Sequence, residues 1–359
     1  MATVLRNVRV FDGDGFTGAR DVAIDGGLVV ESAGPGADVV DGAGGYLVPG
    51  FIDCHIHLAG SHTQQLLVAA GVTTGLDMSS PAPLVKAMRG RAGVTDIRSA
   101  MMAMSSPASA HAQRMKDIPA AQEALVAGPD DAEAAVARRV EQGADYLKIV
   151  IDLPGFEQQD VDALVAAAHA HGLRTVAHAS RSDAVAMAEA AGIDVLTHAP
   201  LDRPIDDAQA ERLAADGTVI VPTLTMMKGI VDRVNPTGGP GPAYAPARES
   251  VRALHAAGVP ILAGTDANET SAAPASPPFG SSLHDELELL VEAGLTPLEA
   301  LRSATSVAAQ HFGLDDRGVI APGRRADLVL LNADPTVDIA ATRSIRGVWL
   351  AGDHVVDEA

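Results

Sequence analysis

Five apolar stretches of this chain each run into a side chain that can bind a metal ion or move a proton. FIDCHIHLAG carries His55 and His57, DYLKIV carries Lys148, RTVAHAS carries His178, DVLTHAP carries His198 and ILAGTDA carries Asp266. Each reads as a short apolar or β-branched strand with a polar terminus, and Ala-rich stretches of helical spacing lie between them. Strands that alternate with helices build a largely parallel sheet. Polar groups spread over so many strand ends converge only if that sheet curls into a barrel and presents them at one rim.

The pattern predicts eight strands, at Phe51–His57, Thr73–Asp77, Ile97–Met104, Tyr146–Val150, Arg174–His178, Val195–His198, Thr218–Val221 and Val259–Gly264. It predicts helices at Ala132–Gln142, Asp160–His171, Ser182–Ala191, Asp206–Asp216, His284–Ala293 and Pro297–Phe312. Together they suit a (β/α)8 barrel over residues 50–318, since such barrels take about 250 residues. A doubly wound open sheet fits less well, because no Gly-rich phosphate turn follows any strand. Both chain ends have another texture: TVLRNVRVF, DVAIDGGLVVESAG and IRGVWLAGDHVVDEA are short alternating runs broken by Gly and Asp, which is the signature of hairpins. Neither end has enough strands to bury a face alone. Residues 1–49 and 319–359 are therefore expected to pair as one composite β-sandwich beside the barrel. The Pro/Gly/Ser-rich stretches Thr237–Pro246 and Ala272–Ser282 follow strands seven and eight and read as loops of the active face.

A formal charge of −20 argues against nucleic acid or an anionic membrane as partner, because both would be repelled at long range. A small-molecule substrate is the better expectation, and an oligomer of identical chains is compatible with it. The single cysteine, Cys54, cannot form an internal disulfide. No apolar run reaches the ~18 residues of a membrane span, and the opening MATVLRNVRVFDGDG has no basic stretch followed by an apolar one. The expected location is the cytoplasm.

His55 and His57 stand two apart on a strand, so both project to one face, and alternation sends Cys54 toward the helical layer opposite. An HxH pair alone is weak evidence for a metal. It gains weight because His178, His198 and Asp266 fall at the ends of strands five, six and eight. Lys148 sits in an otherwise apolar strand. Burial near metal cations would lower its pKa, and a free amine can add carbon dioxide to become a carbamate whose two oxygens bridge two metals.

HxH on strand one, Lys on four, His on five and six and Asp on eight resembles the binuclear amidohydrolase superfamily. YLVPGFIDCHIHLAG, AAGVTTGLDM, GADYLKIV, LELLVEAGLTPLEALRSATSVAA and RGVIAPGRRADLVLLNADP resemble its imidazolonepropionase-like and Xaa-Pro-dipeptidase-like branch. The resemblance implies that His55, His57 and Asp266 hold one divalent ion and His178 and His198 a second. Carbamylated Lys148 and a hydroxide would bridge them. Nitrogen-rich ligation suits zinc. The chain departs from that branch between Ser80 and Pro129, where a glycine-rich His motif is missing, and His111 is the candidate to fill its role.

Four residues are candidates to contact substrate: His111, Arg203 and Lys228, the last two through a substrate carboxylate, and Met226, through apolar contact. His169, His171 and His284 read as structural. The expected activity is metal-dependent hydrolysis of an amide-like C–N bond in a dipeptide, N-acyl amino acid or cyclic amide, with Asp266 moving the proton. An esterase, lactonase or lyase could use the same ligand shell. A barrel that had lost its chemistry would have lost ligands, and here all six are present.

Overall fold

The computed structural model describes residues 2–357 apart from Gly238 and Pro240, so part of the expected Thr237–Pro246 loop lies outside the described residues. The N-terminal strands are β1 (Thr3–Phe11), β2 (Phe16–Asp25), β3 (Leu28–Val30), β4 (Asp38–Asp41) and β5 (Tyr46–Pro49). Gly26 and Gly27 turn β2 into β3 with φ of 57° and 84°, the left-handed pair that a two-residue hairpin demands. The central strands follow as β6 (Phe51–Ile56), β7 (Val72–Asp77), β8 (Asp96–Ser99), β9 (Met104–Ser105), β10 (Leu147–Val150), β11 (Thr175–His178), β12 (Val195–Thr197) and β13 (Val219–Val221). The chain ends with β14 (Leu328–Leu331), β15 (Ile345–Leu350) and β16 (Asp353–Asp357).

Strands from both ends pair in one mixed sheet of eight strands ordered β16-β15-β14-β5-β1-β2-β3, with β4 alongside β1. Its buried face is apolar, with Leu5, Val8, Val22, Leu47, Leu328 and Trp349 in one cluster. The central strands form two parallel sheets, β6-β7-β8 and β13-β12-β11-β10-β9. Helices follow most of these strands. Gln158–Ala170 opens on a capping box between Glu157 and Asp160, and Ala132–Gln142 stops at Gly143 with φ 89°.

The helix expected over Pro297–Phe312 is split into Pro297–Ser303 and Ser306–His311, and three further expectations need correction. The third strand is not continuous: β8 pairs with β7 and β9 with β10, and Met101, at φ 57°, breaks the run between them. The eighth segment forms isolated bridges rather than a regular strand among the described residues. Pro260 has no N–H to give, and the Thr265 N–H bonds to the Asp53 carboxylate instead of a strand. Its remaining backbone still joins both sheets, with Leu262 N–H donating to Ile220 O at 2.8 Å and Cys54 N–H to Ala263 O at 2.9 Å. Finally, Cys54 packs with Ile52, Leu76, Tyr146, Val176, Val195, Val221 and Leu262. Side chains from both sheets share that cluster, so Cys54 points in among the strands rather than outward to the helical layer. The register shift of β6 against β7 between Asp53 and Ile56 interrupts the alternation that had placed it outside.

Candidate active site

His55 lies near the end of β6 and His57 directly follows it, and Asp266 reaches them from the eighth segment, tied there by its own N–H to His55 O at 2.8 Å. An Asp266 oxygen lies 2.9 Å from His57 Nε2 and 3.4 Å from His55 Nε2. The donor atoms of the three residues all lie within 4.8 Å of one another. Beside them, the ring centres of His55 and His198 are 5.0 Å apart and those of His198 and His178 are 4.4 Å apart. The Lys148 amine donates to the Thr197 hydroxyl, which donates in turn to Ala177 O at 2.8 Å. Thus β6, β10, β11, β12 and the eighth segment deliver all six side chains to one place.

The backbone reaches this arrangement at some cost. His198 and Asp266 adopt φ of 73° and 58°, a region non-glycine residues rarely enter and hold only where their surroundings fix them. Asp53 supplies part of that restraint, accepting the His55 and Thr265 N–H groups at 3.1 Å each and the Thr265 hydroxyl at 2.7 Å. Asp77 braces the other side, accepting from Leu58 N–H at 3.2 Å and from the Ser80 hydroxyl at 2.6 Å.

Burial sets the protonation of the cluster. It drives the imidazoliums of His55, His178 and His198 well below the ordinary histidine value, and the neighbouring cations add to the effect. These rings are neutral and each keeps a lone pair. Burial also brings the Lys148 ammonium down to about 7. His57 goes the other way: burial opposes its charge, but the Asp266 hydrogen bond and negative charge outweigh that and raise it. Of this group, His55, His57 and Asp266 offer ligand atoms close enough together to hold a metal ion. The buried Nδ1 of His55 has no hydrogen-bond partner among the described residues, although buried polar groups are normally satisfied.

The six side chains line the floor of a cavity of about 250 Å³. Its walls are apolar, with Leu58, Met78, Met102, Met115, Ile118, Val150 and Met226. His111 and Met226 line it as expected. The His111 ring lies 3.3 Å from the Ser105 hydroxyl, and burial lowers its pKa to about 4. Lys228 and Arg203 are not among the lining residues; Arg203 is exposed, and Lys228 pairs with Asp232 at 2.6 Å one helical turn on. His284 lies away from the cavity against Thr342 and Phe51, as a packing residue. The cation missed by sequence reasoning is Arg114, which lines the cavity and makes no hydrogen bond or ion pair among the described residues. Its signal was available: it stands three residues after His111 on the helical turn Ala110–Arg114, hence on the same face.

Residues 46–355 match the model of the amidohydrolase family, and the chain belongs to that family. Among curated relatives it is 34% identical to an imidazolonepropionase from Deinococcus deserti over 59% of this chain and 50% of that one. It spans about half the length of the first curated relatives it matches, two imidazolonepropionases from Deinococcus species. Among solved structures it is similar to a prolidase complexed with N-methylphosphonate-L-proline, with a TM-score of 0.84, 25% identity and full coverage of both chains. A Xaa-Pro dipeptidase with methionine bound in its active site shares the fold, with a TM-score of 0.85 at 22% identity over 99% of each chain. No helix among the described residues is long and apolar enough to cross a membrane.

Proposed function

We propose that this chain is a metal-dependent hydrolase of amide-like C–N bonds in small substrates such as dipeptides, N-acyl amino acids or cyclic amides. The observation that carries this reading is the meeting of His55, His57, Lys148, His178, His198 and Asp266 at the floor of one apolar cavity. Amidohydrolase membership supports it, as does the likeness to proteins named imidazolonepropionase and prolidase. In this reading residues 50–318 form a (β/α)8 barrel closed through the eighth segment, and residues 1–49 with 319–359 form a β-sandwich unit beside it. The lone, buried Cys54 suits a reducing compartment, the cytoplasm.

His55, His57 and Asp266 would hold one divalent ion and His178 and His198 another, zinc by the nitrogen-rich donor set. The Lys148 amine, uncharged for much of the time near neutral pH, would add to carbon dioxide through its lone pair and release a proton, giving a carbamate whose oxygens would serve as further ligands. When bound, the ions supply a water nucleophile at neutral pH and polarise the scissile carbonyl. Asp266 takes the proton from the attacking water and passes it to the leaving nitrogen, which cannot depart as an amide anion. The methionine-rich wall excludes water and receives the apolar part of the substrate. Arg114, unpaired at that wall, is the group placed to take a substrate carboxylate, the role expected of Arg203 and Lys228.

Zinc-loaded protein assayed on matched amides, esters and lactones tests this reading. The expected result is turnover of small amides that chelation abolishes and added zinc restores. Hydrolysis confined to esters or lactones would move the assignment to that class. Chelator-insensitive amide hydrolysis would contradict it.

A further inference from the structure

Thr223, between β13 and the helix Leu224–Val234, holds a conformation that β-branched residues avoid, with φ and ψ both at 48°, and it is fully buried. It occupies the N-cap position, where a threonine hydroxyl ordinarily accepts a backbone N–H of the helix it opens. Here it makes no such bond. Its hydroxyl instead lies 2.7 Å from His198 Nδ1. The cap is supplied from elsewhere, by the buried Glu286 on the helix Ser281–Glu292. One Glu286 oxygen accepts Leu224 N–H at 2.9 Å, and the other accepts Thr225 N–H at 2.7 Å and the Thr225 hydroxyl at 2.5 Å.

We infer that Thr223, fixed by Glu286, is a positioning residue for His198: its hydroxyl accepts the Nδ1 proton and leaves the ring's lone pair on Nε2. One observation sets that direction: the Asp266 carboxylate oxygen, 3.9 Å from His198 Nδ1, favours the proton on that nitrogen. A neutral imidazole with its proton on Nδ1 has its lone pair on Nε2, and such outer hydrogen bonds fix both tautomer and ring angle of a metal ligand. Glu286 releases the Thr223 hydroxyl from capping, so a strained threonine can serve the ring rather than its own helix. This inference rests on His198 being a metal ligand, and its test is built to fail separately from that reading.

Three variants separate positioning from folding: Thr223→Val keeps shape but loses the hydroxyl, Thr223→Ser keeps the hydroxyl, and Glu286→Gln keeps one acceptor oxygen. Nitrogen-15 NMR of histidine-labelled protein, with the His198 signals assigned by their loss in His198→Gln, reads the ring tautomer without added metal. Competition with a chelator reads zinc affinity. The parent and Thr223→Ser are expected to show the proton on Nδ1 and equal zinc affinity. Thr223→Val and Glu286→Gln are expected to shift the ring toward a tautomer mixture and to bind zinc about 10–100-fold more weakly. An unchanged tautomer and affinity in Thr223→Val, or an equal loss in Thr223→Ser, would overturn the role of Thr223. An unchanged Glu286→Gln would remove Glu286 from it. If the parent bound no zinc, the metal reading would fall, while the tautomer in Thr223→Val would still decide whether Thr223 holds the ring.

Discussion

Lys148 carries the sharpest chemistry of any single residue here, because an amine within a buried apolar strand has little use as a cation. Its exposure is 3%, and burial brings its pKa to about 7. Lys148→Ala should lose most bound metal and activity, with partial recovery of both in millimolar short-chain carboxylic acids that stand in for the carbamate. Lys148→Arg should be no better, since guanidinium stays charged; elemental analysis and rates on both variants check this. Asp266→Asn should retain more metal than rate and lose roughly 10²–10⁴-fold in kcat. The six residues of this cluster were legible in the sequence because each lies in or at the end of an apolar run, where a polar side chain needs a reason. Arg203 and Lys228 carried no comparable signal, since solvated loop cations are common. Thr223 and Glu286 could not be read either, because their pairing spans 62 or so residues of chain and depends on a backbone angle that no composition reports.

At the level of elements, the joint between β8 and the C-terminal segment depends on Asp96. It accepts from Arg317 at 2.8 Å and from Arg325 at 3.3 Å, and Arg317 also donates to Thr74 on β7 at 2.8 Å. Burial works against the Asp96 charge, but the charge and hydrogen bond of Arg317, with Arg325, outweigh it and hold the carboxyl below its ordinary value. A depressed folded-state pKa stabilises the protein above the unfolded value of about 3.9 and loses that contribution as pH falls through the folded one. Asp96→Asn should therefore cost about 1–3 kcal/mol at neutral pH and remove part of the acid-induced loss below pH ~4. Denaturant melts of both proteins at several pH values check it; an equal loss in acid would show that Asp96 is not the group titrating. Most strands and helices were legible from their periodicity. The third strand and the eighth segment were misread for local reasons, a left-handed Met101 in one and Pro260 with the Asp53 carboxylate in the other. Cys54 was misplaced because a bulge is invisible to a rule of strict alternation.

Over the whole molecule, the charge of −20 surrounds a cavity whose free cation is Arg114 among the described lining residues. An anionic substrate is repelled at a distance and attracted only near the mouth. Raising ionic strength from about 0.01 to 0.15 M shortens the screening length from ~30 to ~8 Å. It should raise kcat/KM for a carboxylate-bearing substrate by about 2–5-fold and leave an uncharged analogue nearly unchanged. A fall with salt would mean that local attraction governs approach. The pairing of both chain ends was legible from their shared hairpin texture, and its outcome as one eight-stranded sheet was not, because strand order depends on long-range register.

The central claim is that six side chains from four strands and the eighth segment hold two metal ions around a modified lysine. X-ray diffraction from crystals of the zinc-loaded protein, with anomalous data on both sides of the zinc edge, tests it most directly. The account expects two anomalous peaks, one among His55, His57 and Asp266 and one at His178 and His198, with density for a carbamate continuing from Lys148 Nζ between them. Zinc-loaded, active protein that showed no peak at these residues, or a bare Lys148 beside two ions, would contradict it.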